Sequence, residues 1–516
     1  MAYRPLLLGS LLAVIAGVTN ADEALRAPVV SGDMAAVRRL LDAGTDVTTA
    51  DPEGAVPLHW AVHADQTEVA LALLDAGAAA DATTRFGVTP LYLAAVNGNA
   101  ELTTALLAAG ADASAFGPNG ETMLMTASRT GRTDAMAALL DAGADVDVRD
   151  PNFEQTALMI AVRERHIDAV ELLLARGADV DARTVASQPP AFVPPCKGTG
   201  CGSEGVGINR GGLPDRGRRD AATGGLTPLL YAARDGLDAI AGVLIAAGAD
   251  LELAEANGVR PLLSSLLNGH IGVARQLVDA GADLNADDFW GRTPLWAAVE
   301  YRNLDMNNND TDDPVTNGVD RAPFLPFIEY LLQRGADPDA QTREVPPPRR
   351  WLYSLNDVSW VDFTGQTPFL RAALSADTAA MQLLLEHGAD PNLATQAGTT
   401  PLMAAAGVNW VVAQTYTVSP EAQLEAVQLC LSLGADINAV NSMGLSALLG
   451  AVNRGSNHIV RYLAHNGADL RVIDVEGRDA IRWAEGVFLA AVGAERKAET
   501  IELLEQLMNT ESGGTD

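Results

Sequence analysis

Three groups of side chains in this sequence have the types and spacing to do chemistry. Cys196 and Cys201 bracket Lys197-Gly198-Thr199-Gly200 in a Pro/Gly-rich stretch. In an oxidising compartment such a pair closes a local disulfide; in a reducing one it stays as two thiols. His59 and His63 share a helical pattern, and a spacing of four puts both imidazoles on one face, as in paired metal ligation. The run Asp305-Met306-Asn307-Asn308-Asn309-Asp310-Thr311-Asp312-Asp313 is rich in the hard oxygen donors that calcium takes. Asp305, Asn307 and Asn309 alternate as the opening of a calcium loop does. However, Asp310 stands where such a loop turns on Gly, and Thr316 where it needs a bidentate Glu. Asp305, Asn307, Asn309 and Asp310 are thus the calcium candidate, with a solvated polar loop as the alternative.

Other chemistry finds no foothold. Gly200-Cys201-Gly202-Ser203-Glu204-Gly205 has the spacing of a dinucleotide loop, but it follows no strand and opens no helix. The chain holds no P-loop, no H-E-x-x-H, no G-x-S-x-G and no C-x-x-C-H. The expectation is a protein that is not an enzyme, with no catalytic residues and no cofactor.

The elements that carry these residues repeat. Thr89-Pro90-Leu91-Tyr92-Leu93-Ala94 is followed by Gly110-Ala111-Asp112, and Thr122-Met123-Leu124-Met125-Thr126-Ala127 by Gly143-Ala144-Asp145. The phrase returns at Thr156, Thr227, Thr293, Thr367, Thr400 and Ser446. A period of about 33 residues means a stacked array rather than one globular core. The Thr caps a helix N-terminus, and the Pro fits the first helical position. The Leu anchors the helix, and the Ala keeps its face thin so that neighbours can approach. A second amphipathic run, such as Leu102 to Ala109, ends at Gly110, where Gly can take the left-handed conformation that closes a helix. One unit is therefore helix, tight turn, helix and extended hairpin. Units start near residues 24, 56, 89, 122, 156, 227, 260, 293, 367, 400, 446 and 479, which makes twelve. Val56 and Arg260 lack a capping oxygen, so those two helices should start less firmly, by ~1 kcal/mol each.

These phrases resemble the ankyrin repeat family. Val56-Pro57-Leu58-His59-Trp60-Ala61 departs from T-P-L-H-x-A only in its first residue. The resemblance covers nearly all of the chain after about residue 24. It implies an all-α repeat solenoid, an ankyrin helix-turn-helix-hairpin stack of about twelve units, with fingers and first helices lining one face. It also implies a non-enzymatic role in binding other proteins, although a fold alone does not fix function. For His59 it implies a structural hydrogen bond between repeats in place of metal.

Composition narrows the partner classes. The 516 residues carry a net charge of −31, which repels nucleic acid phosphates and anionic membrane surfaces. Lys occurs only as Lys197 and Lys497; with the Ala richness this points to a GC-rich bacterial source. Arg4 precedes an apolar run from Leu6 to Val18, and Thr19-Asn20-Ala21 offers small residues for cleavage before Asp22. Residues 1–21 therefore read as a signal peptide. The protein is expected to be exported, periplasmic or secreted, with no membrane insertion after cleavage.

The period divides the mature chain. Residues 22–183 hold repeats one to five, 184–222 a Pro/Gly/Cys insertion, and 223–341 repeats six to eight with a turn insertion at 302–323. Residues 342–361 form a Pro/Trp finger insertion, 362–508 repeats nine to twelve, and 509–516 a disordered tail. Cys430 lies on a second-helix pattern and reads as a buried small hydrophobe.

The functional reading is an exported scaffold that binds a protein partner through its finger and inner-helix face. Phe86, Phe153, Phe289, Trp290 and Phe363 fall where fingertips are expected, and Trp410 lies on a turn insertion. Aromatic residues are favoured at binding hot spots; the alternative is that each ring packs on a neighbouring finger. Two rival readings remain: an accessory subunit of an enzyme or redox complex with its site in the insertions, and a secreted host-directed effector.

Overall fold

The computed structural model describes residues 21–186, 223–303, 321–344, 364–409, 419–487 and 496–512. All regular elements in them are helices, and they fall into two compact units, Met1–Thr184 and Val185–Asp516.

The first unit holds five helix pairs: α1 (Ala21–Ser31) with α2 (Met34–Asp42), α3 (Pro57–His63) with α4 (Thr67–Asp75), α5 (Pro90–Asn97) with α6 (Ala100–Ala108), α7 (Met123–Thr130) with α8 (Thr133–Asp141), and α9 (Ala157–Arg163) with α10 (Ile167–Ala175). The second begins with α11 (Pro228–Asp235), α12 (Asp238–Ala246), α13 (Pro261–Leu267), α14 (Ile271–Asp279), α15 (Pro294–Arg302) and α16 (Phe324–Gln333). It continues with α17 (Pro368–Leu374), α18 (Thr378–Glu386), α19 (Pro401–Ala406), α20 (Pro420–Ser432), α21 (Ala447–Arg454), α22 (Asn457–His465), α23 (Ala480–Ala484) and α24 (Ala498–Ser512). Inside each unit, first helices stack on first helices and second helices on second helices. The Ala of the repeated phrase permits that approach: Ala61, Ala94, Ala127, Ala161, Ala232, Ala298, Ala372 and Ala451 are all fully buried. Leu58, Leu73, Leu91, Leu102 and Leu106 fill the spaces between layers, each contributing about 1.5–3 kcal/mol over exposure.

The start signals act as the sequence implies. Thr89 Oγ1 accepts the Tyr92 N–H at 3.1 Å, and Thr122, Thr156, Thr227, Thr293, Thr367, Thr400, Ser446 and Asp479 repeat this bond in their own units. Val56 and Arg260 make no such bond. At Val56 the helix is held from within: His59 Nδ1 accepts the Val56 N–H at 3.2 Å, and the ring's Nε2 reaches the Val88 carbonyl of the next unit at 3.1 Å. The turn between paired helices always needs a left-handed residue. Gly98, Gly131, Gly236 and Gly455 supply it freely; Asp65, Arg165 and Ala376 adopt the same conformation without that freedom.

Several insertions have pinned ends, two of them closely. After α15 the chain leaves at Asn303 and returns at Arg321. Arg302 donates to the Arg321 carbonyl at 2.9 Å and pairs with buried Asp377 at 2.7 Å, and Asn303 also donates to Asp377. In the finger, Thr342 accepts the Gln366 N–H through Oγ1 and the Gly365 N–H through its carbonyl. These bonds tie together the described residues on either side of 345–363. Helix α24 runs on to Ser512, four residues into the expected disordered tail.

Candidate protein-binding surface

Most fingers are closed by one polar side chain at the first tip position; the finger at Gly117 has none there, and Asn119 accepts the Glu121 N–H instead. Asp51 Oδ1 accepts the N–H groups of Glu53 and Ala55 at 3.0 and 2.8 Å. Thr84 does the same for Phe86 and Val88, Glu255 for Asn257 and Val259, and Asp288 for Trp290 and Arg292. Asn441 and Asp474 complete the series for Met443 with Leu445 and Glu476 with Arg478. Asp150 uses both oxygens, because its finger carries one extra residue: it takes the N–H groups of Asn152, Phe153 and Gln155. Such side chains satisfy tip donors that would otherwise need water.

The tips also bond to one another. In the second unit, each tip N–H donates to a carbonyl of the preceding tip: Ala256 to Gly224, Phe289 to Asn257, Arg343 to Trp290, Gln396 to Thr364, Ser442 to Ala397 and Val475 to Met443. In the first unit Arg85 donates to Glu53 at 3.0 Å, and there the described ladder stops. The next two donor positions are Pro118 and Pro151, and Pro has no N–H.

Aromatic placement differs between the units. Phe86 and Phe153 stand out from their tips with 58% and 62% of their surface exposed, and Phe116 joins them at 52%. Phe116 was missed in the sequence because it precedes its tip, six residues before Thr122, where no ring was sought. Arg85 lies over the Phe86 ring at 5.3 Å and pairs with Glu53 at 3.2 Å. Trp290, by contrast, is only 9% exposed. Its ring meets half-buried Phe289 edge-on at 5.5 Å, and Arg292, held to Asp288 at 2.7 Å, lies over it. Trp290 is therefore packed within its own finger, the alternative that the sequence left open for these rings. Burial pushes the Asp288 carboxyl above its ordinary range, against the opposing pull of Arg292. Val440, Ile473 and Val475 are exposed on the last fingers of the second unit; single aliphatics in a loop gave no sequence signal.

Charged pairs line the first-helix side of the first unit. Arg129 bridges Glu121 and Glu164, the latter at 3.0 Å, and Arg26 lies over Trp60 at 5.1 Å. Burial, with Glu121 nearby, raises the Tyr92 phenol above its usual range, while Arg129 opposes the shift. His59 is buried and both ring nitrogens face backbone groups, so the ring has none to offer a metal. Among the described residues, no group of three His, Cys, Asp or Glu side chains is placed to hold a metal ion. Cys430 is buried, and burial pushes its thiol up to about 12. Phe363, Trp410, Cys196, Cys201, Asp305, Asn307, Asn309 and Asp310 lie outside the described residues.

Comparison with known proteins agrees with this architecture. A family model described as ankyrin repeats (3 copies) matches residues 25–117, 110–184 and 229–308, and a single ankyrin repeat model matches 364–393. Together the matches span about half of the chain. Among solved structures, the chain is similar to the ankyrin repeat domain of Bcl-3, a member of the IkappaB protein family, at 26% identity and a TM-score of 0.38 over 51% of this chain and 99% of that one. It is also similar to the human ASB11 ankyrin repeat domain, at 24% identity and a TM-score of 0.39 over 50% of this chain and 98% of that one. The capped helix pairs, the fingers and the family matches agree: the chain belongs to the ankyrin repeat family.

Proposed function

We propose that this chain is an exported scaffold that holds a protein partner on the fingertips and first-helix side of its first unit. Ankyrin repeats as a class mediate protein–protein contact; the finer reading rests on one observation. Two fingertips expose Phe86 and Phe153, and Phe116 is exposed just ahead of the tip between them; large exposed rings mark interaction sites. Export is supported by the apolar run from Leu6 to Val18 and the small residues after it.

The test uses the full chain, tagged at its C-terminus and cross-linked in growing cells. It should be recovered outside the cytoplasm with a partner protein. The variant Phe86→Ser, Phe116→Ser, Phe153→Ser should keep its helical circular dichroism and lose that partner. An intact fold with the partner retained would move the site off these tips. Recovery solely from the cytoplasm would refute export.

A further inference from the structure

The first unit's tips form a surface of distinctive chemistry, and its features are independent of one another. The tips touch: a Cβ placed on Gly87 would lie 3.8 Å from Pro118, and one on Gly120 would lie 3.0 Å from Pro151. Pro118 and Pro151 are exposed, as are Phe86, Phe116 and Phe153. Five rings thus share three adjoining fingertips.

The same two prolines change the hydrogen-bonding character. Where Phe289 and Ser442 donate to the preceding tip in the second unit, Pro118 and Pro151 cannot. Among the described residues, nothing donates to the carbonyls of Phe86 and Asn119, which occupy the ladder's acceptor position. The surface is therefore rich in acceptors and poor in donors. Its cations, Arg85, Arg129 and Arg149, are each already paired, with Glu53, Glu121 and Glu154. The whole chain carries −31. An occupant must supply donors and positive charge as well as apolar side chains.

Resting on the fingertip reading above, we propose that this strip seats an extended, cationic segment of the partner protein. Apolar side chains of the segment lie on Phe86, Phe116 and Phe153. Its Arg or Lys groups donate to the free Phe86 and Asn119 carbonyls and approach Glu53, Glu121 and Glu154. Charge-assisted bonds of this kind are stronger than neutral ones, and complementary charge speeds encounter and excludes wrong partners.

The experiment is fluorescence anisotropy on the full chain with three labelled peptides: an Arg-Leu-Ser repeat, a Gln-Leu-Ser repeat and a Glu-Leu-Ser repeat. The Arg peptide alone should bind, more weakly as salt rises. Phe86→Ser, Phe116→Ser, Phe153→Ser should weaken it at least ~10-fold, the scale of losing about 1.4 kcal/mol. Glu53→Gln with Glu154→Gln should also weaken it, while Val440→Ser with Ile473→Ser on the second unit's fingers should not. Equal binding of the Gln and Glu peptides, lost in the Phe variant, would keep the fingertip site and overturn the cationic occupant. Unchanged Arg-peptide binding in the Phe variant would show general attraction to an acidic chain and overturn both. Failure of all three peptides to bind would overturn the cationic segment, and the cross-linking result would then judge the fingertip reading by itself.

Discussion

Replacing His59 by Leu should destabilise the first unit, and the size follows from two hydrogen bonds. The buried ring accepts the Val56 N–H and meets the Val88 carbonyl. Leu fills similar space but leaves the Val56 N–H without a partner, while the Val88 carbonyl keeps the Thr84 N–H at 2.9 Å. An unsatisfied buried group costs about 1–3 kcal/mol, and the Val88 carbonyl loses only its second bond, so the expected loss is roughly 1–3 kcal/mol. With a urea dependence of about 2 kcal/mol per molar, the midpoint should fall by roughly 0.5–1.5 M. Acidification should imitate part of this in the wild type. Burial holds the His59 pKa below its ordinary 6.5. A depressed imidazole contributes stability that is present above pH 6.5 and fades as pH falls from there toward the folded-state value. The assay is a urea series at pH 7.5 and 5.5, each point given a brief deuterium pulse at one fixed pH and read from peptides covering residues 56–63. Wild type should lose stability at the lower pH and His59→Leu should lose less. Equal pH sensitivity in the two proteins, or a midpoint unmoved by the substitution, would refute the assignment of the neutral ring as the helix's inner support.

Asn441→Ala should cost about 2–3 kcal/mol, because the buried amide accepts from Met443 and Leu445 and donates to Thr399; thermal unfolding of the second unit is the measure. Cys430 should resist a thiol reagent in the native protein, as a buried group whose pKa is pushed to about 12 does. After denaturation the exported protein should release one titratable thiol if Cys196 and Cys201 are bonded, and three if they are not. Urea unfolding should proceed in more than one step, since the chain divides at Thr184 and repeat contacts run between neighbours; superimposable transitions by deuterium labelling of both units would contradict this.

What the sequence revealed depended on how local the physics is. Thr89, Thr227 and Thr367 were legible as caps because capping needs only a hydroxyl and three following residues. The fingertip clasp was not, because Asp51, Thr84, Glu255 and Asn441 perform one role with four residue types. Role and identity are uncoupled wherever any short acceptor suffices. The rings show the opposite limit. Phe86 and Trp290 occupy comparable places in the period, yet one is open and the other covered. Trp290 packs against Phe289 and Arg292, contacts that the spacing of aromatics does not encode. Pro118 and Pro151 were visible as letters, but their effect on the ladder required knowing which N–H groups the other tips donate.

The finger that begins at Thr342 shows how such an array can acquire new parts. Its staple spans the insertion: Thr342 still holds Gly365 and Gln366, and Arg343 and Thr364 still serve the tips before and after. Whatever is spliced between Glu344 and Thr364 leaves the neighbours' bonds in place. The penalty is only that of closing a loop, about 0.6 kcal/mol for each doubling of its length. A fingertip in this protein is therefore a socket, where sequence can be added, lengthened or exchanged while the helices beneath keep their own stability.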